Sequence, residues 1–247
     1  MPGSGVRRAL SRSLAGLLAA TLATAVLAAP AVLAPLVQGA RIAEPWHVVT
    51  LPQQSKPVTR YSAEMVDGRE ALRIQAEASY GNLVHELPAA EAPQRLRWAW
   101  RMQQPNTAVD LRSKAGDDAA VKVCMSFDMA LDRVPFMERQ VLRIARNRTG
   151  QDLPAATLCW VWGAAENKGA LMPNAFSRRV RTIVLRNGSD ALATWFEESR
   201  DVAADFRRAF GDESAEPPPV SAIIVAGDGD NTGGASLAFV SSLRMEP

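Results

Sequence analysis

The nine residues from Gln94 to Met102, QRLRWAWRM, decide the fold class, because apolar and polar side chains alternate along them. Leu96, Trp98 and Trp100 would share one face of an extended chain with Met102, while arginines occupy most of the other face. A period of two residues is typical of a β-strand with one buried and one solvated face. The stretch therefore predicts a strand of an antiparallel sheet.

The same alternation recurs along the chain between clusters of turn-forming residues. The further predicted strands are ALRIQAEA (71–78), NLVHEL (82–87), VKVCMSF (121–127), TLCWVW (157–162), RVRTIVL (179–185), ATWFEE (193–198), VSAIIVA (220–226) and ASLAFVSSL (235–243). Many short strands at such spacing predict a mainly β fold, and we expect an antiparallel β-sandwich of jelly-roll type.

Two stretches, residues 135–148 and 200–211, have helical instead of alternating spacing. Each carries three apolar residues that would form one stripe of a helix. These are Met137, Val141 and Ile144 in the first stretch and Val202, Phe206 and Phe210 in the second. We therefore expect two short helices that cover the sheets with these stripes.

The N-terminus has the pattern of an export signal. Arg7, Arg8 and Arg12 precede an apolar stretch at residues 14–27, as in a cleaved signal peptide. Extended to Val37, the apolar stretch is also long enough for an uncleaved membrane anchor. Either interpretation makes residues 1–39 a leader and residues 40–247 a single domain. The domain would be periplasmic or secreted, and anchored to the inner membrane in the second case.

Export changes the charge of the protein. The chain has 28 basic and 26 acidic residues, and removal of the three leader arginines leaves 25 basic residues and a net charge of −1. A nucleic-acid-binding surface must be basic to neutralise phosphates. We therefore expect no nucleic-acid partner, and membrane contact only through an uncleaved N-terminal segment.

The two cysteines, Cys124 and Cys159, both lie in predicted strands. An oxidising compartment permits a disulfide between them if the strands are neighbours. The alternative is a pair of buried thiols that pack as small apolar groups. The spacing of the cysteines leaves both alternatives open.

The stretch AGDGDNTGG, residues 226–234, connects two predicted strands and contains Asp228, Asp230 and Asn231. It is not a dinucleotide loop, since a strand follows where a helix is needed. It is not an EF-hand either, since Phe239 occupies the twelfth position, where a glutamate belongs. A tight turn and a looser oxygen-ligand site for Ca²⁺ both remain compatible with these residue types.

A second acidic turn, Gly116-Asp117-Asp118, precedes another predicted strand. Adjacent carboxylates repel each other unless a positive group lies between them, and a metal ion, Arg181 or Arg200 would supply that charge. The predicted ligand-binding residues are Asp117, Asp118, Asp228, Asp230, Asn231, Arg181 and Arg200. The predicted ligands of a structural Ca²⁺ are Asp118, Asp228 and Asp230. Turn chemistry alone also explains both loops.

Four tryptophans form two W-x-W pairs on strands, at positions 98 and 100 and at positions 160 and 162. Exposed pairs would form a stacking platform for sugar rings, whereas buried pairs would belong to the core. Their apolar neighbours favour the core.

Sequence signatures of enzymes are mostly missing, since the chain has no H-E-x-x-H, G-x-S-x-G or P-loop lysine motif. A glycosidase that uses two carboxylates remains an alternative, because its acids need only a suitable separation in space. The available acids are Asp117, Asp118, Glu197, Asp201, Asp205, Asp228 and Asp230.

The order of six segments resembles the bacterial exported family known as domain of unknown function (DUF) 3047. The segments are DGREALRIQAEASYGNLVHEL, LRWAWR, AGDDAAVKVCMSFD, TLCWVWG, ESRDVAADFRRAFG and GDGDNTGG. The chain departs from the family pattern at Ala226-Gly227, where relatives often carry an acidic or hydroxyl pair, and at Phe206, where they often carry tyrosine. The resemblance implies an exported, mainly β domain and no assigned activity.

Together these observations predict an exported domain that binds a glycan or a similar polar ligand without catalysis. Two alternatives remain, a glycan-acting enzyme with paired carboxylates and a structural or protein-interaction module of the cell envelope.

Overall fold

The computed structural model describes Met1 and residues 32–246, and this part of the chain is mainly β, with 42% strand and 12% helix. No helix among the described residues is long and apolar enough to cross a membrane. The predicted leader falls mostly outside the described residues. Within them, the packed part of the chain includes Leu36 and Val37, which are buried in the core. The folded unit thus begins before residue 40, the predicted boundary.

Fourteen strands and two α-helices make up the described chain. The strands are β1 (Val37–Gln38), β2 (Arg41–Ile42), β3 (His47–Val49), β4 (Arg60–Val66), β5 (Arg69–Glu77), β6 (Asn82–Ala90), β7 (Arg95–Gln104), β8 (Lys122–Phe127), β9 (Ala156–Trp162), β10 (Leu171–Pro173), β11 (Val180–Arg186), β12 (Trp195–Asp201), β13 (Val220–Ala226) and β14 (Ala235–Glu246). The helices are α1 (Phe136–Thr149) and α2 (Val202–Phe210).

The strands form two large sheets and one small pair. The larger sheet has the order β10-β11-β9-β8-β13-β6-β3, the smaller sheet has the order β12-β7-β14-β5-β4, and β1 pairs with β2. Every neighbouring pair in the described chain is antiparallel except β9 and β11. The predicted mainly β, antiparallel fold is confirmed, while the jelly-roll type of sandwich stays a prediction.

The two W-x-W pairs face each other across a core that both sheets share. Trp98 lies 5.7 Å from Trp160 between ring centroids, and Trp100 lies 5.9 Å from Trp162. All four side chains are at most 2% exposed. Large aromatic side chains contribute most of the apolar area that such a core removes from water. These tryptophans therefore hold the sheets together, and they are not a surface platform for sugars.

The outer face of the larger sheet carries a second, smaller apolar cluster. Cys124 and Cys159 lie opposite each other on β8 and β9 and are joined by a disulfide. Val109 and Leu111, from the long segment before β8, pack over this cluster. Strand β9 is consequently buried on both of its faces.

The alternating pattern of the sequence does not predict the hairpin formed by β4 and β5, although the turn between them has a clear sequence signal. Asp67 and Gly68 both have positive φ, at 50° and 75°. An Asp-Gly pair with this geometry is a preferred two-residue connection between antiparallel strands. The sequence pattern does not indicate strand β4, because its side chains are mostly exposed and the apolar alternation is weak.

Helix α2 matches its prediction. Asp201 caps it by accepting a hydrogen bond from the Ala204 N–H at 2.8 Å, and Val202, Phe206 and Phe210 are buried. An N-terminal aspartate satisfies one of the free N–H groups that every helix leaves in its first turn. The helix thus covers one edge of the core as expected.

Helix α1 forms at the predicted place, but its predicted buried stripe is wrong. Met137, Val141 and Ile144 are 71%, 65% and 51% exposed. The helix is instead attached through buried Leu142 and through Glu138, on the other side of its circumference. Helical spacing predicted an amphipathic helix, but the side that packs is set by these two contacts.

Candidate functional site

The two acidic turns meet because β8, which follows one turn, and β13, which precedes the other, are neighbouring strands. Ala226, the last residue of β13, lies opposite Lys122, the first residue of β8. The Asp228 N–H donates to the Ala119 carbonyl at 2.9 Å, which joins the two loops directly. We call the resulting group the acidic loop cluster, defined by Asp117, Asp118, Asp228, Asp230 and Asn231.

Asp118 connects its own turn, residues 116–118, to the loop of residues 226–234. Its Oδ1 accepts from the N–H and the Nδ2 of Asn231, both at 3.2 Å. Its Oδ2 accepts from the N–H and the Oγ1 of Thr232 at 2.8 and 2.6 Å. The side chain is buried, so these donors replace water around a carboxylate that would otherwise be costly to bury.

Asp228 is buried as well, and its counter-charge is Lys122. Asp228 Oδ1 accepts from the Ala119 N–H, and Oδ2 accepts from Lys122 Nζ, each at 2.5 Å. Burial alone would lower the pKa of Lys122, but the charge of Asp228 and its hydrogen bond with Lys122 outweigh this effect, and the pKa is raised. Lys122 therefore stays positively charged at neutral pH.

Asp230 differs from its two neighbours, since one of its oxygens is buried without a partner. Its Oδ1 is closed to solvent and accepts no hydrogen bond from any described residue. Burial, followed by the charges of Asp228 and Asp118, raises the pKa of this carboxyl. Buried polar atoms are rarely left unsatisfied, and such an atom indicates a bound proton, water or ion.

The carboxylates of Asp118, Asp228 and Asp230 converge. One oxygen from each lies within 4.8 Å of the others. Two oxygens bound to the same Ca²⁺ at about 2.3–2.6 Å are at most roughly 5 Å apart, so the three can share one ion. The structure thus brings together the three residues that the sequence predicted as metal ligands.

Asp117 and Asn231 border this group. Asp117 accepts from Asn174 Nδ2, and burial raises its pKa despite the nearby charge of Lys122. The Asn231 amide donates to the Asp117 carbonyl at 3.1 Å as well as to Asp118. Both residues belong to the cluster, but the side chain of Asp117 binds Asn174, and the side chain of Asn231 connects the two acidic loops.

Arg181 and Arg200 are engaged elsewhere, and the hypothesis that either lies between the acidic loops does not hold. Arg181 pairs with Asp212 and Glu213, beside helix α2. Arg200 forms two hydrogen bonds of 2.8 Å with Asp205. Both arginines fix α2 against the sheets.

The remaining acids from the sequence also have structural partners. Asp205 accepts from Trp160 Nε1 at 2.8 Å in addition to Arg200, Glu197 pairs with Arg69 at 2.6 Å, and Asp201 caps α2. These contacts place all three outside the acidic loop cluster.

Sequence reasoning missed Lys122, Tyr80 and Thr232 as members of the site. Lys122 is the first residue of a strand in which it alternates with apolar side chains, which is also the pattern of a solvated lysine. Burial raises the pKa of Tyr80, whose hydroxyl accepts from Asn82 Nδ2 at 3.0 Å. Tyr80 and Thr232 gave no signal beyond their positions in turns.

Comparison with known proteins supports the resemblance noted from the motifs. No curated protein matches the chain. A family model described as a protein of unknown function, DUF3047, matches residues 44–244, which include every member of the acidic loop cluster and all strands from β3 to β13. The chain therefore belongs to the DUF3047 family.

Proposed function

We propose that this protein is an exported, non-catalytic domain that binds a glycan or a similar polar ligand at the acidic loop cluster, with a Ca²⁺ ion as part of the site. The observation that carries the proposal is the buried, unpartnered Oδ1 of Asp230 beside the carboxylates of Asp118 and Asp228. A cation between them would satisfy that oxygen and offset the repulsion of three neighbouring carboxylates.

The coordination of such an ion supports a ligand-binding role. Ca²⁺ takes six to eight oxygen ligands, and three carboxylates leave positions for water or for hydroxyl groups of a ligand. Lys122 already balances one of the charges, so the ion would complete the neutralisation. Sugar hydroxyls are oxygen donors of the required kind.

The carboxylate geometry favours binding over glycoside hydrolysis. A hydrolase needs two carboxyl groups about 5–10 Å apart, each free to exchange a proton or attack the substrate. Here both oxygens of Asp118 and both of Asp228 accept fixed hydrogen bonds, and the oxygens converge within 4.8 Å.

The enzyme alternative has one observation in its favour. The pKa values of Asp117 and Asp230 are both raised by burial and by neighbouring carboxylates, as in a general acid. A site of this kind would release reducing sugar from a polysaccharide, whereas a binding site would retain the sugar unchanged.

Export is supported by the disulfide between Cys124 and Cys159, which persists in oxidising compartments such as the periplasm. Together with the predicted leader, it supports a periplasmic or secreted location.

The proposal is tested by thermal unfolding with EDTA or Ca²⁺, on the unmodified chain and on Asp230→Asn. Ligand at 100 times its Kd stabilises the folded state by about 2.7 kcal/mol, so we expect a clear Ca²⁺-dependent rise in Tm that Asp230→Asn abolishes. Asp132→Asn is the matched control, since Asp132 is exposed and follows the Phe127 end of β8, whereas the cluster lies at the Lys122 end.

The pH dependence in EDTA provides an independent check. A carboxyl whose pKa is raised in the folded state lowers stability as pH rises through that pKa, because the unfolded state loses its proton first. Asp230→Asn should therefore be more stable than the unmodified chain at pH 7 in EDTA, and the difference should disappear below about pH 4. If Ca²⁺ does not change the Tm of either protein, the proposed ion site is contradicted. The acidic loop cluster would then only connect the two loops structurally.

A further inference from the structure

Helix α1 exposes a continuous apolar surface, which we call the α1 apolar strip. It consists of Phe136, Met137, Val141 and Ile144, and each of these side chains is more than half exposed, from 51% to 71%. Met137, Val141 and Ile144 follow the i, i+4, i+7 spacing of one helix face. Folding leaves this apolar face in water, and the apolar side chain of the helix that it buries is Leu142.

Helix α1 also carries three arginines that are free to bind anions. Arg143 and Arg148 are exposed, and the guanidinium of Arg139 lies 5.7 Å from the centroid of the Phe136 ring. Within residues 32–246, none of these three arginines forms an ion pair. The only acidic side chain on α1, Glu138, is occupied by Arg178 and Arg179. The helix therefore presents an apolar strip together with unneutralised positive charge.

This positive charge discriminates between the possible binding partners of the α1 apolar strip. A second copy related by a two-fold axis would bring the same arginines face to face. The leader before residue 32 carries Arg7, Arg8 and Arg12 and no acidic residue, so its charge is also of the wrong sign. An anionic lipid surface offers both parts of the complement, phosphate groups for the arginines and acyl chains for the apolar strip.

We propose that α1 lies in the interface of an anionic lipid bilayer and docks the domain on the membrane surface. The strip enters the boundary between headgroups and acyl chains, and Arg139, Arg143 and Arg148 bind lipid phosphates. The inference is independent of the proposed ligand site, which lies around Lys122 at the start of β8, whereas α1 follows the end of that strand. It also differs from the sequence expectation of membrane contact through the N-terminal segment alone.

The test is co-sedimentation with vesicles, using a chain that starts at Val32. Both sheets and the core lie within residues 32–246, so this chain keeps the described fold and lacks the apolar leader. Vesicles of phosphatidylglycerol and phosphatidylethanolamine are compared with vesicles of phosphatidylcholine at low and high salt. We expect binding to the anionic vesicles that weakens in high salt.

Two double variants separate the apolar and the charged contributions. Val141→Ser with Ile144→Ser should weaken binding by about tenfold or more, because the apolar area that enters the membrane is lost. Arg143→Gln with Arg148→Gln should weaken binding to anionic vesicles by about tenfold and remove the preference over phosphatidylcholine. All four side chains are exposed, so the fold should not change, and circular dichroism checks it.

Matched controls come from two other elements, β4 and β2. Met65 is 63% exposed on β4, and Arg41 is exposed without an ion pair among the described residues. Met65→Ser and Arg41→Gln should bind like the unmodified chain. Absence of binding to anionic vesicles, or equal losses in the controls, would overturn the proposal. A concentration-dependent dimer in sedimentation velocity that Val141→Ser with Ile144→Ser disperses would overturn it in favour of an interface between copies.

Discussion

At the scale of single residues, Lys122 stabilises the acidic loop cluster, because it neutralises the almost completely buried carboxylate of Asp228. Lys122→Met would leave Asp228 without its counter-charge, and we expect a loss of about 3–5 kcal/mol in the free energy of unfolding, measured by urea denaturation. Lys56→Met is the control, since Lys56 is exposed and only donates to the Asp230 carbonyl at 3.2 Å. Adding Asp228→Asn to Lys122→Met should recover part of the loss. Equal effects of the two lysine substitutions would show that the ion pair is unimportant.

At the scale of elements, the turn between β4 and β5 is fixed by backbone conformation and not by packing. A Cβ at Gly68 would meet no atom within 4 Å, so the cost of a side chain there comes from its φ of +75° alone. We expect Gly68→Ala to cost about 1 kcal/mol, as for other residues forced into the left-handed region. Asp67→Asn is the comparison, since asparagine suits the same turn and removes only the ion pair with Arg101. A larger loss in Asp67→Asn than in Gly68→Ala would show that the ion pair holds the hairpin.

At the scale of the whole molecule, the disulfide links two strands of the larger sheet across 35 positions of sequence. Closing a loop of this size removes conformational freedom from the unfolded chain, so Cys124→Ala with Cys159→Ala should cost about 2–4 kcal/mol. Urea denaturation of the oxidised protein, the reduced protein and the double variant measures the effect. The reduced protein and the double variant should agree, because neither carries the crosslink. A reduced protein as stable as the oxidised one would contradict this role.

Much of the fold was determined by local sequence. Alternating residues predicted nine of the strands, and the spacing of three apolar residues predicted α2, because these signals act through neighbours along the chain. The same local signals placed Asp118, Asp228 and Asp230 in turns. Short sequence segments in a constant order also indicated the family to which the chain belongs.

Other features were decided only by tertiary structure. The exposed side of α1 depends on the partners that Leu142 and Glu138 find in distant parts of the chain. The spacing of apolar residues alone predicts that the more apolar side of a helix is buried, and in α1 that side is exposed. Likewise the counter-charge of the acidic loops is Lys122 and not Arg181 or Arg200, because β8 and β13 pair in a register that brings Lys122 opposite Ala226. Charges act over a few ångströms of space, and the sheet sets those distances between residues more than 100 positions apart.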